Sequence, residues 1–257
     1  MVSDARRLPI TATARTIVAA ASTQAAQTAI GINDETAHVH FADFVSADVD
    51  ANGYQQNTSG SGAGSRQLWQ FTTTASNSQG VIELGTGTTA GGFISLNVGN
   101  NAIVTSTAAF KLAMRSQFWT LSTLADEYVC RFGLGNDVSS TGIGAREIKF
   151  QYDRLNDGVN WQCITRDTTE TKTDSGVAAT ASATGANMQT LEIVVNQAAT
   201  EVLFYIDGAL VATHTTDVPQ NRLGYGVEME ASTAFVTNEP IIGIDWIRFE
   251  CTRSTPR

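Results

Sequence analysis

The sequence predicts an all-β protein, a sandwich of two antiparallel sheets. Three observations predict it. Residues 191–219 read LEIVVNQAATEVLFYIDGALVATHTTDVP. Leu191, Ile193 and Val195 share one face with Glu192 and Asn196 on the other, a polar break follows, and a second strand shows Val202, Phe204 and Ile206 before Asp207-Gly208, a tight-turn pair. Phe110, Leu112, Met114, Ser116 and Phe118 alternate against Lys111, Ala113, Arg115 and Gln117, as in a long strand with one buried face. Past the first residues, no helical period of any length appears, while Gly, Asn and Asp punctuate a succession of short apolar runs.

In chain order, residues 1–36 form an N-terminal arm. They are rich in Ala and Thr, carry no aromatic residue, and cannot bury enough on their own to become ordered. The arm is expected to pack on another subunit or a larger shell. Residues 37–257 form the domain. The Gly- and Ser-rich stretch Asn52 to Ser65 reads as a loop. Strands are expected at Leu68–Thr73, Gly80–Leu84, Gly92–Asn97, Phe110–Phe118 and Tyr128–Gly135. Ile148–Tyr152 and the run Val159, Trp161, Cys163 follow. The family of three around Leu191–Thr213 comes next, then Tyr225–Glu230 and Ile241–Cys251. Trp69, Trp161 and Trp246 alternate with apolar neighbours and are expected in the core.

Composition excludes several functions. Asp and Glu number 25 against 16 Lys and Arg, a net charge of −9, which argues against a nucleic-acid backbone as partner, since that would need a basic patch. No 18-residue apolar run is present to span a bilayer. The run Ile17–Ala21 is too short and too interrupted to read as a secretory leader, so synthesis in a host cytoplasm is expected. Cys130, Cys163 and Cys251 are odd in number and widely spaced, and read as buried free thiols.

The ordered stretches YVCRFGLGND (128–137), REIKFQYDRLNDGVNWQCITRDTTETKTDSGV (146–177), the run from Leu191 to Pro219, and IIGIDWIRFE (241–250) resemble concanavalin A-like lectin/glucanase jelly-roll domains of bacteriophage virion structural proteins. The resemblance covers roughly residues 68–251 and not the arm. It implies a concanavalin A-like jelly-roll sandwich with an extended N-terminal arm. It also implies a virion-surface role as a capsid decoration, fibre or tail appendage, non-catalytic and able to adhere to glycans. The alternative is the carbohydrate-binding receptor-recognition module of a tail fibre. Expected partners are other virion proteins of the capsid or tail, further copies of the chain (a trimer being the expected form), and a host surface glycan. Nucleic acid and membrane insertion are not expected, nor is a cofactor.

Related jelly rolls include retaining glucanases, which use two carboxylates about 5–5.5 Å apart. The Glu-x-Asp-x-x-Glu pattern that would place them on one strand face is missing. Glu228 and Glu230 do share a face and read as the solvated side of an outer strand. Asp245 has an acidic neighbour only at Glu250, whose odd offset puts it on the opposite face. No catalytic residue and no metal ligand is therefore assigned. Asn136 with Asp137, and Asp153 with Asn156 and Asp157, are dense enough to consider as cation ligands, but they lie at turns where such residues bond locally. His38 and His40 share a strand face without a third ligand, and His214 stands apart. The candidate carbohydrate-binding residues are Trp119 and Tyr225: Trp119 falls on the polar face of its strand, and Tyr225, like Tyr205, lies on or near a turn. For Trp119, subunit packing and an isolated surface ring stand beside sugar contact.

Overall fold

The computed structural model describes residues 37–43, 54–59, 81–104, 108–136, 144–182, 187–232 and 239–253. The expected arm, the strand expected at Leu68–Thr73, and Trp69 lie outside them. Fourteen strands occur in the described residues: β1 (Ala37–Asp43), β2 (Gln55–Ser59), β3 (Ile82–Gly85), β4 (Phe93–Val104), β5 (Ala108–Phe118), β6 (Tyr128–Gly135), β7 (Glu147–Asp153), β8 (Asn160–Arg166), β9 (Glu170–Ala178), β10 (Gln189–Val195), β11 (Val202–Ile206), β12 (Ala209–His214), β13 (Arg222–Ala231) and β14 (Ile241–Arg253). One short helix, α1 (Arg154–Asp157), joins β7 to β8.

Two seven-stranded sheets result. The first runs β1-β14-β5-β10-β11-β12, with β3 also on β14; the second runs β2-β4-β13-β6-β7-β8-β9. All the named strand pairs are antiparallel. The late strands insert between early ones: β13 lies between β4 and β6, and β14 between β1 and β5. Neighbours in space are therefore distant in sequence, and the sandwich closes only when the chain is nearly complete.

The apolar positions of both sheets face each other. Leu112, Met114, Leu191, Ile193, Phe204 and Ile247 from the first sheet meet Leu96, Phe132, Ile148, Phe150, Val227 and Met229 from the second. An aromatic cluster fills one end: the Phe118 ring lies 5.4, 5.1 and 5.7 Å from those of Tyr128, Tyr152 and Trp161. The buried Trp161 Nε1 donates to Gln189 Oε1 at 3.1 Å, so its polar atom is satisfied inside the core. All three cysteines are buried free thiols. Burial pushes those of Cys130 and Cys163 up from their ordinary values.

The turns follow their residues. Asp207 and Gly208 take φ of 50° and 80°, the paired left-handed conformation of a two-residue hairpin joining β11 to β12. Between β10 and β11, Asn196 Oδ1 accepts from the backbone of Thr200 (2.8 Å) and Glu201 (3.3 Å).

Four expectations need correction. The loop expected over Asn52 to Ser65 contains β2, whose polar residues pair with β4. β9 was not expected: its sequence ETKTDSGVA is polar on both faces, because an edge strand needs only backbone pairing and one half-covered side. Val159 precedes β8 and is exposed rather than continuing the apolar face. Trp246 is half-buried outside the core, against Phe41 at 6.3 Å. A bulge between Ile244 and Trp246 is the cause. It shifts the alternation by one, so Ile242 and Ile244 point inward before it, and Ile247, Phe249 and Cys251 after it.

Candidate functional site

The structure separates the two aromatic candidates. Tyr225 lies within β13, 3% exposed, in the core. Its ring stacks on Phe249 at 4.7 Å and its hydroxyl meets His40 Nδ1 at 2.5 Å. The expectation of a surface ring near a turn is corrected: Tyr225 presents no face to a sugar. Gly224 and Gly226 beside it mimic a turn in the sequence, yet they serve close strand packing. A Cβ on Gly226 would lie 2.4 Å from Leu96 O in β4. Trp119 follows the end of β5 and is half-buried, with its indole nitrogen close to Gly243 on the outer side of the first sheet.

The densest polar arrangement is on the second sheet, on the face turned away from the core. Register places Asn57, Ser95, Glu228, Arg131, Gln151, Gln162 and Asp174 side by side, one from each strand β2-β4-β13-β6-β7-β8-β9. Seven hydrogen-bonding side chains thus cross the full sheet in one row. Each follows from local alternation: Arg131 stands between the core residues Cys130 and Phe132, Gln151 between Phe150 and Tyr152, and Glu228 between Val227 and Met229. In the adjacent row, Gly226 and Gly133 face each other across β13 and β6, leaving bare backbone beside Glu228 and Arg131. A Cβ on Gly133 would lie 2.2 Å from Ile148 O, so the gap is enforced by strand approach.

This row is not the solvated surface expected for Glu228. Glu228 is 6% exposed, with Gln151, Gln162 and Ser95 similarly buried. Arg131 Nη1 lies 3.0 Å from Glu228 Oε1 and 3.6 Å from Glu230 Oε2, so one guanidinium nitrogen bridges both carboxylates. Gln151 Oε1 accepts from Arg131 Nε at 3.4 Å, while Gln151 Nε2 donates to Asp157 Oδ2 at 3.1 Å. Next to the row, Lys149 Nζ meets Glu147 Oε2 at 2.6 Å and Arg166 meets Glu147 Oε1 at 3.2 Å. Lys172 pairs with Asp157. Burial pushes the Glu228 carboxyl up to about 7, against the pull of Arg131 and Lys149. Burial likewise lowers the Lys149 ammonium, opposed by Glu147. Glu228 Oε2 is buried without a hydrogen-bond partner among the described residues.

The remaining sequence candidates have local roles. Asp153 caps α1, accepting from the backbone (3.1 Å) and side chain (2.8 Å) of Asn156. Asn136 accepts from the backbone of Arg146, and Asp137 lies outside the described residues. Asp245 pairs with Arg115 at 3.0 Å on the outer face of the first sheet. The bulge at Ile244/Trp246 brings it to the same face as Glu250, contrary to its expected parity. His214 sits between Thr165 and Thr173.

Residues 77–245 match the family model described as SO2946-like, C-terminal domain. The chain belongs to this family. No curated protein sequence matches it. Among solved structures, this SO2946-like chain is similar to the carbohydrate recognition domain of Emp47p (TM-score 0.54, 12% identity, covering 86% of this chain and 96% of that one). It is similar to the β-glucanase of Bacillus licheniformis (0.50, 11%, 82% and 97%). It is also similar to the carbohydrate esterase vb_24B_21 from the Shiga toxin-encoding bacteriophage phi24B (0.50, 13%, 84% and 97%). At these identities the likeness is one of fold, and the fold is the concanavalin A-like jelly roll.

Proposed function

We propose that this SO2946-like chain is a non-catalytic, glycan-adhesive structural protein displayed on the surface of a bacteriophage particle. The observation that carries the adhesive part is the row Ser95–Glu228–Arg131–Gln151–Gln162. Planar amides, a guanidinium and a carboxylate stand side by side on rigid strands, next to bare backbone at Gly133 and Gly226. Sugar hydroxyls both donate and accept, and such side chains meet them in pairs. Strands hold the groups in place, so little ordering cost falls on binding. The phage setting rests on the resemblance of the ordered stretches between Tyr128 and Glu250 to virion proteins. A phage-encoded fold neighbour agrees with it.

The non-catalytic part rests on Arg131. A retaining pair needs one carboxylate free to attack and another free to protonate. Here both acids are drawn to one guanidinium. One observation favours a second reading, glycan cleavage: the Glu228 carboxyl titrates near neutrality, as a general acid does. Incubation with host surface polysaccharide tests both. Retention of the intact polymer without new reducing ends is expected. Release of reducing ends by the wild type and not by E228Q would establish cleavage instead. Antibody labelling of purified particles tests the display, with surface label expected; particles without label would refute it.

A further inference from the structure

We infer that the outer face of the first sheet joins two copies of this chain, back to back about a two-fold axis. The inference stands apart from glycan binding, which concerns the second sheet. Two observations carry it.

The first is where exposed apolar side chains stand. Register puts Val39 and Phe41 of β1 at one flank of this face, and Leu203, Tyr205 and Leu210 of β11 and β12 at the other. Val39, Phe41 and Leu210 are 45%, 53% and 54% exposed. The other large apolar side chains exposed among the described residues, Leu124, Leu155 and Val159, lie outside the strands. Those that a described strand carries are therefore all on this one face. The bulge in β14 adds Trp246 to the Phe41 flank. Apolar groups gathered on a rigid sheet face mark a contact surface more than scattered ones do.

The second is the charge between the flanks. Lys111 pairs with Glu192 at 2.6 Å, Arg248 with Glu250 at 2.5 Å and Arg115 with Asp245 at 3.0 Å. Three cations and three carboxylates thus cancel here, in a chain whose net charge is −9. Two copies of an acidic chain repel one another, and the repulsion is least where a balanced face meets its own copy. An axis along the strands lays the Phe41–Trp246 flank of one copy on the Tyr205–Leu210 flank of the other. The ion pairs then face their own copies, and apolar burial at both flanks drives the contact.

The experiment is sedimentation velocity of the full chain over a range of concentrations. F41D and L210D, one from each flank, are compared with the wild type, with folding checked by circular dichroism melts. R248E, which unbalances the face, and R248E/E250R, which restores the balance, are run alongside. A wild-type dimer is expected, its Kd raised at least about a hundredfold in F41D and in L210D. R248E should weaken it and the double exchange should recover it. L210D keeps the inference testable should F41D fail to fold. A monomer at every concentration would overturn the inference, and so would a dimer untouched by F41D and L210D. A trimer would overturn the two-fold arrangement. R248E pairing as tightly as the wild type would overturn the part given to charge. Loss of the dimer on deleting residues 1–36, with F41D and L210D unaffected, would make that segment the tie and overturn the sheet face.

Discussion

His214 shows how much a single ring can hold. It ends β12 at one edge of the first sheet, and its partners belong to the second. Thr165 Oγ1 donates to Thr216 O at 3.1 Å, so it accepts from His214 Nδ1 at 3.0 Å; Nε2 then accepts from Thr173 Oγ1 at 3.0 Å. Both nitrogens are satisfied with the ring neutral, and burial lowers its pKa. The folded state therefore disfavours the proton. Stability from this site is complete above the unfolded value of about 6.5 and is lost as pH falls below it. Glu228 acts oppositely. Its carboxyl is raised to about 7, so its contribution is present at low pH and is lost as pH rises from about 4.5 through 7. Urea unfolding across pH 4–8 should show H214Q flattening the acid-side loss and E228Q flattening the neutral-side loss. Unchanged slopes in both variants would refute these assignments. Neither site was legible in the sequence. Nothing near His214 predicts threonines from another sheet, and Glu228 reads as solvated until Arg131 is placed beside it.

Strands and turns were far more legible. In β7 apolar and polar residues alternate strictly, and in β10 and β11 the inward positions Leu191, Ile193, Val195, Val202, Phe204 and Ile206 are large and apolar, a pattern that register enforces over several strands. β9 and β2 were not legible because edge strands can be polar throughout, and the Trp246 side of β14 was lost to a bulge that has no sequence mark. Gly133 and Gly226 lie inside the strands expected at Tyr128–Gly135 and Tyr225–Glu230, and nothing in the sequence shows that they mark close strand approach. G133A should destabilise the fold by about 2–4 kcal/mol by prying β6 from β7, read as a lowered thermal midpoint. An unchanged midpoint would show that the strands can part without cost. At the β11–β12 hairpin, G208A should cost about 1 kcal/mol, because φ is 80° and nothing crowds the Cβ.

In the whole molecule, topology builds the row. β13 arrives late in the chain and slots between β4 and β6, setting Glu228 between Ser95 and Arg131. The sequence showed Glu228 and Glu230 on one face but could not show what stood beside them. The signal available was weaker: Arg131, Gln151 and Glu228, three long hydrogen-bonding side chains, each stand between core residues on separate strands. We propose that residues 1–36, expected from the sequence to be an arm, act at this scale by anchoring the domain to a particle. Deleting residues 1–36 should abolish incorporation into a particle and leave the domain folded, as judged by co-sedimentation and circular dichroism. Incorporation of the truncated chain would end that proposal. Amide chemical-shift mapping with a host surface polysaccharide decides whether the polar row is the binding face. Shifts clustered at Ser95, Arg131, Gln151, Gln162 and Glu228 are expected. Shifts confined to the Trp119 side of the first sheet, with the row silent, would contradict it.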